Sequence, residues 1–357
     1  MKTLQTFILV IAALALASCG GKTRGPSSAP VLYQPRYASG FTVRGDSTAA
    51  TIEVRAPWQG ADSTTVSTLT VRRGQEPRRI VTMSTSYIGM LDLLDATDRV
   101  AGVSGLQYVS NDGIRLRSDV ADIGYEGNID YERLVSLRPD LVLLYGIDSP
   151  SLMEPKLKEL GIPYLYMGEY VEQSPLGKAE WTVAMGYIIG KPELARQKFE
   201  AIAEKYNALA AEARQATKRP RVMLNTPYSD SWVMPSVTNY MARLIADAGG
   251  EYVYARNTGN ASRPIDMEEA YSLAAGADYW LNVGSASTMD ELLEMCPKFA
   301  DVAPVTGGRV FNNTLRATPG GGNDFWESGV VSPQLVLADM IEIFNGREPQ
   351  YYYVRLK

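Results

Sequence analysis

The 357-residue chain contains no histidine. That absence removes the imidazole general base, the Ser–His–Asp and Cys–His nucleophiles, and every zinc site built on imidazole. Two cysteines are too few for a disulfide framework or a four-sulfur metal site. Positive charge is not in excess: 35 Lys and Arg stand against 40 Asp and Glu, a formal net charge of −5. No stretch supplies the basic face that neutralising nucleic-acid phosphates requires. Beyond residue 18 no apolar run is long enough to span a bilayer. What is present is a 45% hydrophobic composition, enough to bury a sizeable core over two to three domains at about 150 residues each.

The first apolar run, residues 7–17, follows Lys2 and closes with Leu16-Ala17-Ser18-Cys19. It is too short for a membrane-spanning helix and has the layout of a secretory signal, here residues 1–18. Cys19 after Leu-Ala-Ser resembles the bacterial lipoprotein cleavage box, which implies a lipidated cysteine as the new N-terminus. The other reading is an ordinary signal peptide with an incidental Cys19. Residues 19–40, rich in Gly, Ser and Pro, read as a flexible tether. Cys296 reads as a buried, inert thiol.

Residues 41–78 alternate in the manner of strands separated by Gly, Asp and Ser turns, which predicts a small β hairpin or meander. From residue 79 the pattern changes to β–α–β–α–β. Strands are expected at 79–83, 99–103, 141–144 and 162–166, with helices at 88–94, 131–137 and 152–160. Residues 79–175 thus form one lobe. Helical periodicity then fills 181–189 and, after Gly190-Lys191-Pro192, 193–216, within a linker of 176–218. A second βα set follows over 219–357, with strands at 221–224, 279–283 and 309–311 and helices at 240–248, 267–275 and 332–344. The halves echo one another, Glu132…Pro139-Asp140-Leu141-Val142 against Glu268…Ala277-Asp278-Tyr279-Trp280. The expected fold class is α/β, two Rossmann-like lobes with parallel sheets joined by a long helix and preceded by a small β segment.

Three stretches carry a resemblance: Arg79-Ile80-Val81 through Val103, Ile123-Gly124 through Leu141-Val142, and Met234 through Asn323-Asp324-Phe325-Trp326-Glu327. On them the chain resembles a solute-binding lipoprotein of an ABC importer, in the iron-siderophore/cobalamin class III group and in versions like those of Bacteroidetes. The resemblance implies a rigid interlobe helix, modest closure, a monomeric binding protein with no enzyme activity and no resident cofactor, and a place on the periplasmic face of the envelope, with outer-surface exposure also open. It further implies one glutamate per lobe docking on arginines of the membrane permease. Glu132 falls on the N-lobe position and Glu268 is the choice for the other, with Glu269 a competitor. Read without the family, Glu132 is simply a carboxylate favourable at a helix N-terminus.

Ligand is expected between the lobes, on loops at the carboxyl ends of the strands. Ser86 and the rings of Tyr87, Tyr108, Tyr145, Tyr170, Tyr228 and Trp232 fall on such loops, and flat amphipathic rings suit a large planar ligand. Arg316 is the candidate for an anionic ligand group, against a plain surface salt bridge. Gly320-Gly321-Gly322 lacks the Lys-Ser/Thr of a phosphate loop and reads as a close backbone approach or sharp turn. Without imidazole, a ligand whose metal arrives already coordinated is favoured. Ferric siderophore stands ahead of cobalamin, and haem, which would need a Tyr or Met ligand, stands third. Two other classes stay open: a surface lipoprotein capturing haem or another chelate for an outer-membrane receptor, and a glycosidase using Asp324 and Glu327.

Overall fold

A computed structural model describes residues 29–228, 231–259 and 261–357. Apolar segments too short for helices form the two central sheets. Leu141–Leu144 is wholly buried and sits between Ile80–Thr82 and Tyr164–Tyr166, and Val100–Val103 and Ala121–Asp122 extend the N-lobe sheet, all pairings parallel. Each such buried Leu or Val contributes about 1.5–3 kcal/mol. The C-lobe repeats the plan. Arg221–Leu224 lies between Glu251–Tyr252 and Tyr279–Leu281, followed by parallel Val310–Asn312 and a short antiparallel edge, Val354–Arg355.

The sequence echo has a physical cause. Asp140, just before its strand, accepts the backbone N–H groups of Arg78 and Arg79 at 2.8 and 2.9 Å. Asp278 does the same for Arg221 at 2.8 Å. In both lobes the carboxylate pins the start of the neighbouring strand, so the register of two adjacent parallel strands is fixed from one side chain.

Between the lobes lies a helix pair. Pro175–Ile188 is buried at every position, and Pro192–Ala213 packs along it with a buried stripe including Phe199, Ile202 and Tyr206. Its 22 residues span about 33 Å at ~1.5 Å per residue. Proline opens both helices, where its missing N–H costs nothing.

The amino-terminal segment differs from its expected form. Val31–Tyr33, within the expected tether, pairs with Phe41–Gly45, and Ala49–Arg55 and Val66–Arg72 complete a four-stranded antiparallel sheet. The connection is gripped by two buried glutamates of the central region. Glu180 accepts the backbone N–H of Arg36, Tyr37 and Ala38 at 2.7–2.8 Å and the hydroxyl of Tyr33 at 2.7 Å. Glu172 accepts the N–H groups of Ser39 and Gly40, both at 2.9 Å. Low-complexity composition concealed this because the anchoring acids lie about 140 residues away. The signal segment and Cys19 lie outside the described residues. Among those described, no helix is long and apolar enough to cross a membrane.

Candidate functional site

A cleft of about 760 Å³ opens between the lobes. Its N-lobe wall is made where strands hand over to helices. Ser84 caps the helix Thr85–Leu93, its side chain accepting from Ser86 N–H, so Ser84, Thr85 and Ser86 face the space. Glu169 and Tyr170 follow the strand Tyr164–Tyr166 and also line it. Lys178 enters from the central helix.

These side chains form a buried polar group. Ser86 Oγ donates to Glu169 Oε1 at 2.7 Å, and Lys178 Nζ donates to the backbone oxygen of Glu169 at 2.7 Å. The ammonium also lies 4.9 Å from the ring centroid of Tyr240 and 5.8 Å from that of Tyr170, a cation–π arrangement. Burial pushes the Glu169 carboxyl up and the Lys178 ammonium down from their ordinary ranges. Glu169 Oε2 is buried and, among the described residues, has no hydrogen-bond partner.

The C-lobe wall is built of amides at strand ends. Asn225 follows Arg221–Leu224, Asn282 follows Tyr279–Leu281 and Asn313 follows Val310–Asn312. Asn225 and Asn282 hold positive φ, 68° and 60°, which asparagine tolerates better than other non-glycine residues. One half of several amides is fixed by the fold. Asn225 Nδ2 donates to Val233 O at 2.9 Å, Asn282 Oδ1 accepts from the Tyr353 hydroxyl at 2.8 Å, and Asn239 Oδ1 caps Met241 N–H at 2.9 Å. The appended sheet contributes Gln59, whose N–H donates to Ile147 O at 2.8 Å. Trp326 completes the lining from the C-lobe.

The lobes meet beside the cleft. Glu327 accepts the N–H groups of Ser110 and Asn111, both at 2.8 Å. A Cβ at Gly320 or Gly322 would stand 2.7 Å from the carbonyl oxygens of Gln107 and Tyr108, so the glycines permit the approach.

Of the ligand residues expected from sequence, Ser86 and Tyr170 come together in the cleft. Two others are corrected. Tyr87 is 0% exposed, with its hydroxyl donating to Leu144 O at 3.1 Å. Trp232 is also 0% exposed; its Nε1–H donates to Leu224 O, and its ring packs on Trp280 and Phe299. Both rings belong to the core. Tyr145 is half-buried against the N-lobe core, and Tyr108, partly exposed, lies 5.8 Å from Tyr125 beside the glycine approach. Tyr228 is 81% exposed on the hairpin after Thr226. None of these three lines the cleft.

Arg316 is likewise outside the cleft lining. It pairs with Asp324 at 2.9 Å and covers the Tyr352 ring at 5.7 Å, the surface-pair alternative. Asp324 and Glu327, the carboxylates of the glycosidase reading, are spent on Arg316 and on interlobe N–H groups and do not line the cleft. Cys296 is buried, which pushes its thiol up to about 11.

Glu132 is exposed in the first turn of Tyr131–Ser136, capped by Asp130. Glu268 holds the matching place in Met267–Ala275, capped by Asp266. Its neighbour Glu269 pairs with Arg256 at 2.9 Å.

Sequence reasoning placed Glu169 on a cleft loop and Trp326 in a family-like motif without choosing either as a ligand residue, and it passed over Gln59, Lys178, Tyr240 and the asparagines at the strand ends. The asparagines carried a signal: three C-lobe strands run directly into Asn, at Leu224-Asn225, Leu281-Asn282 and Asn312-Asn313.

A model of the periplasmic binding protein family matches residues 80–314. An uncharacterized lipoprotein of Methanocaldococcus jannaschii is 23% identical over 292 residues, 77% of this chain and 68% of that protein. Among solved structures, a periplasmic heme binding protein from Pseudomonas aeruginosa superposes with a TM-score of 0.60 at 16% identity, covering 79% of this chain and 98% of that one. An ABC-type Fe3+-hydroxamate transport system protein from Saccharomonospora viridis gives 0.58 at 16% identity, with 77% and 96% covered. At these identities the structural likeness establishes the two-lobed fold.

Proposed function

The chain belongs to the periplasmic binding protein family, and we propose that it captures a metal chelate between its lobes and delivers it to an ABC permease. A ferric siderophore stands first as ligand, cobalamin second and haem third. The reading rests on one observation: a cleft of about 760 Å³ at the carboxyl ends of two parallel sheets. Open parallel sheets bind ligands at that edge. Among the described residues no three Cys, Asp or Glu side chains gather to hold a metal. A ligand that arrives with its metal already coordinated suits such a cleft. The Saccharomonospora viridis protein, named for Fe3+-hydroxamate transport, and the heme binding protein of Pseudomonas aeruginosa lend the same direction.

In this reading Glu132 and Glu268 dock the two lobes on basic sockets of the permease, where exposed carboxylates steer and orient. Cys19 carries the lipid that holds the protein at the envelope, in keeping with the lipoprotein name of its archaeal relative. Isothermal titration of the full chain, purified in detergent, tests the function. The titrants are a ferric trihydroxamate, its iron-free form, cyanocobalamin and haemin. The expected result is saturable binding of one chelate with Kd below about 1 μM, near −8 kcal/mol. For a siderophore, the iron-free form should bind at least about tenfold more weakly. No saturable binding across the panel overturns the reading. Transport by a permease-bearing cell that survives alanine at both glutamates would favour capture for an outer-membrane receptor instead.

A further inference from the structure

We infer that the cleft selects chelates of near-zero net charge whose periphery carries amide-type groups, and that it rejects polyanionic chelates. This rests on the metal-chelate reading and narrows it. Among the described residues the lining holds one acid, Glu169, and one base, Lys178, whose formal charges sum to zero. The base is already engaged by the protein. Its ammonium is buried, donates to Glu169 O at 2.7 Å and lies over the Tyr240 ring. Arg316, the cation expected from the sequence to meet an anionic ligand, is paired with Asp324 and does not line the space. The helix starts that face the cleft have their N2 amides already capped, Ser86 N–H by Ser84 and Met241 N–H by Asn239. A trianion would therefore shed its water here and find, against three charges, the one ammonium of Lys178 that Glu169 and Tyr240 already engage.

The acid makes the rejection active. Among the described residues Glu169 Oε2, buried in the cleft wall, has no hydrogen-bond partner, so it repels a carboxylate or catecholate and accepts from an N–H or O–H donor. The opposite wall offers what a neutral amide needs. The fold fixes Asn282 Oδ1 and Asn239 Oδ1, leaving their NH₂ groups to donate; it fixes Asn225 Nδ2, leaving its oxygen to accept. Gln59 adds both functions. The backbone amides of a hydroxamate siderophore, whose hydroxamate oxygens are themselves on the metal, and the carboxamide fringe of a corrinoid present the complementary carbonyls and N–H groups. A site built on such pairing rejects ligands that leave its polar groups unpaired.

The test is a competition titration of the full chain in detergent with uncharged ferric trihydroxamate, cyanocobalamin and trianionic ferric tris-catecholate. At least one uncharged chelate should bind about 100-fold or more tightly than the tris-catecholate, with an affinity that stays within about twofold between 0.05 and 0.5 M salt. Glu169→Gln, which keeps the shape, should narrow that gap at least about tenfold. Tris-catecholate binding as tightly as the uncharged chelates, or an unchanged gap in Glu169→Gln, overturns this inference and leaves the chelate-binding function standing. Silence towards all three compounds overturns the inference, and silence towards haemin as well overturns that function itself.

Discussion

Two regions of this molecule bury carboxylates in opposite ways. Under the amino-terminal sheet and the carboxyl-terminal segment, the acids are fully used. Glu180 takes three backbone N–H groups and a tyrosine hydroxyl, and Asp339 takes the N–H groups of Gln350, Tyr351, Tyr352 and Tyr353. In the cleft, Glu169 has one oxygen occupied by Ser86 and one left bare. Burying an ionised carboxylate is tolerable only when its lone pairs are met. An acid whose partners are all protein serves the fold. One that faces a cleft with a bare oxygen is held ready for a partner from outside.

The contrast can be broken most forcefully at Glu180. Glu180→Ala leaves three backbone donors and the Tyr33 hydroxyl without their carboxylate, the Ala38 N–H in the interior, and urea unfolding should show a loss of about 3–5 kcal/mol. A loss below 1 kcal/mol would mean the sheet is not anchored there. Glu327 comes next, as a spent acid that still titrates. Burial pushes its carboxyl from an ordinary value near 4.5 up to about 7. The folded protein then holds a proton that the unfolded chain has released. Its contribution is full below about pH 4.5 and is lost as the pH rises through about 7. Melting curves of wild type and Glu327→Gln should therefore diverge across that window, wild type falling relative to the variant with rising pH. Parallel curves would remove Glu327 from the pH response.

Smaller effects sharpen the comparison. Glu169→Gln should cost less than Glu180→Ala, about 1–2 kcal/mol by urea unfolding, since it removes a desolvated charge with an incomplete set of partners but leaves the buried Lys178 ammonium without its countercharge. A loss as large as that at Glu180 would make Glu169 a structural acid. Least of all for the fold, Glu132→Ala with Glu268→Ala should shift stability by under about 0.5 kcal/mol, as exposed sites do. Ligand affinity should hold while uptake in cells is lost, and retained uptake would remove both from docking.

The lobes, their sheets and the long helix were legible because parallel strands buried on both faces read as short apolar runs, as at Leu141–Leu144. The cleft was legible in position but less so in membership. Tyr87 and Tyr170 both sit just past strand ends, yet one turns into the core and the other lines the cleft. That choice is made by packing on other elements, which local sequence does not display. Gln59 was hidden for the same reason: a hairpin from an appended sheet reaches the cleft only because Ile147 and Tyr166 of the N-lobe hold its loop. The asparagines were readable in principle, as residues able to turn the chain sharply after a strand while leaving an amide exposed to ligand.

Trp326 offers the most direct test that ligand enters between the lobes, because its partly exposed ring lines the cleft, whereas Trp181, Trp232 and Trp280 are fully buried and the half-buried Trp58 packs on Tyr166 outside the lining. Emission of the wild type and of Trp326→Phe should be followed during titration with the chelate that binds by calorimetry. Saturable quenching in the wild type that largely disappears in Trp326→Phe, with calorimetric binding retained, is the expected result. Equal quenching in both proteins would put the ligand elsewhere and contradict the interlobe site.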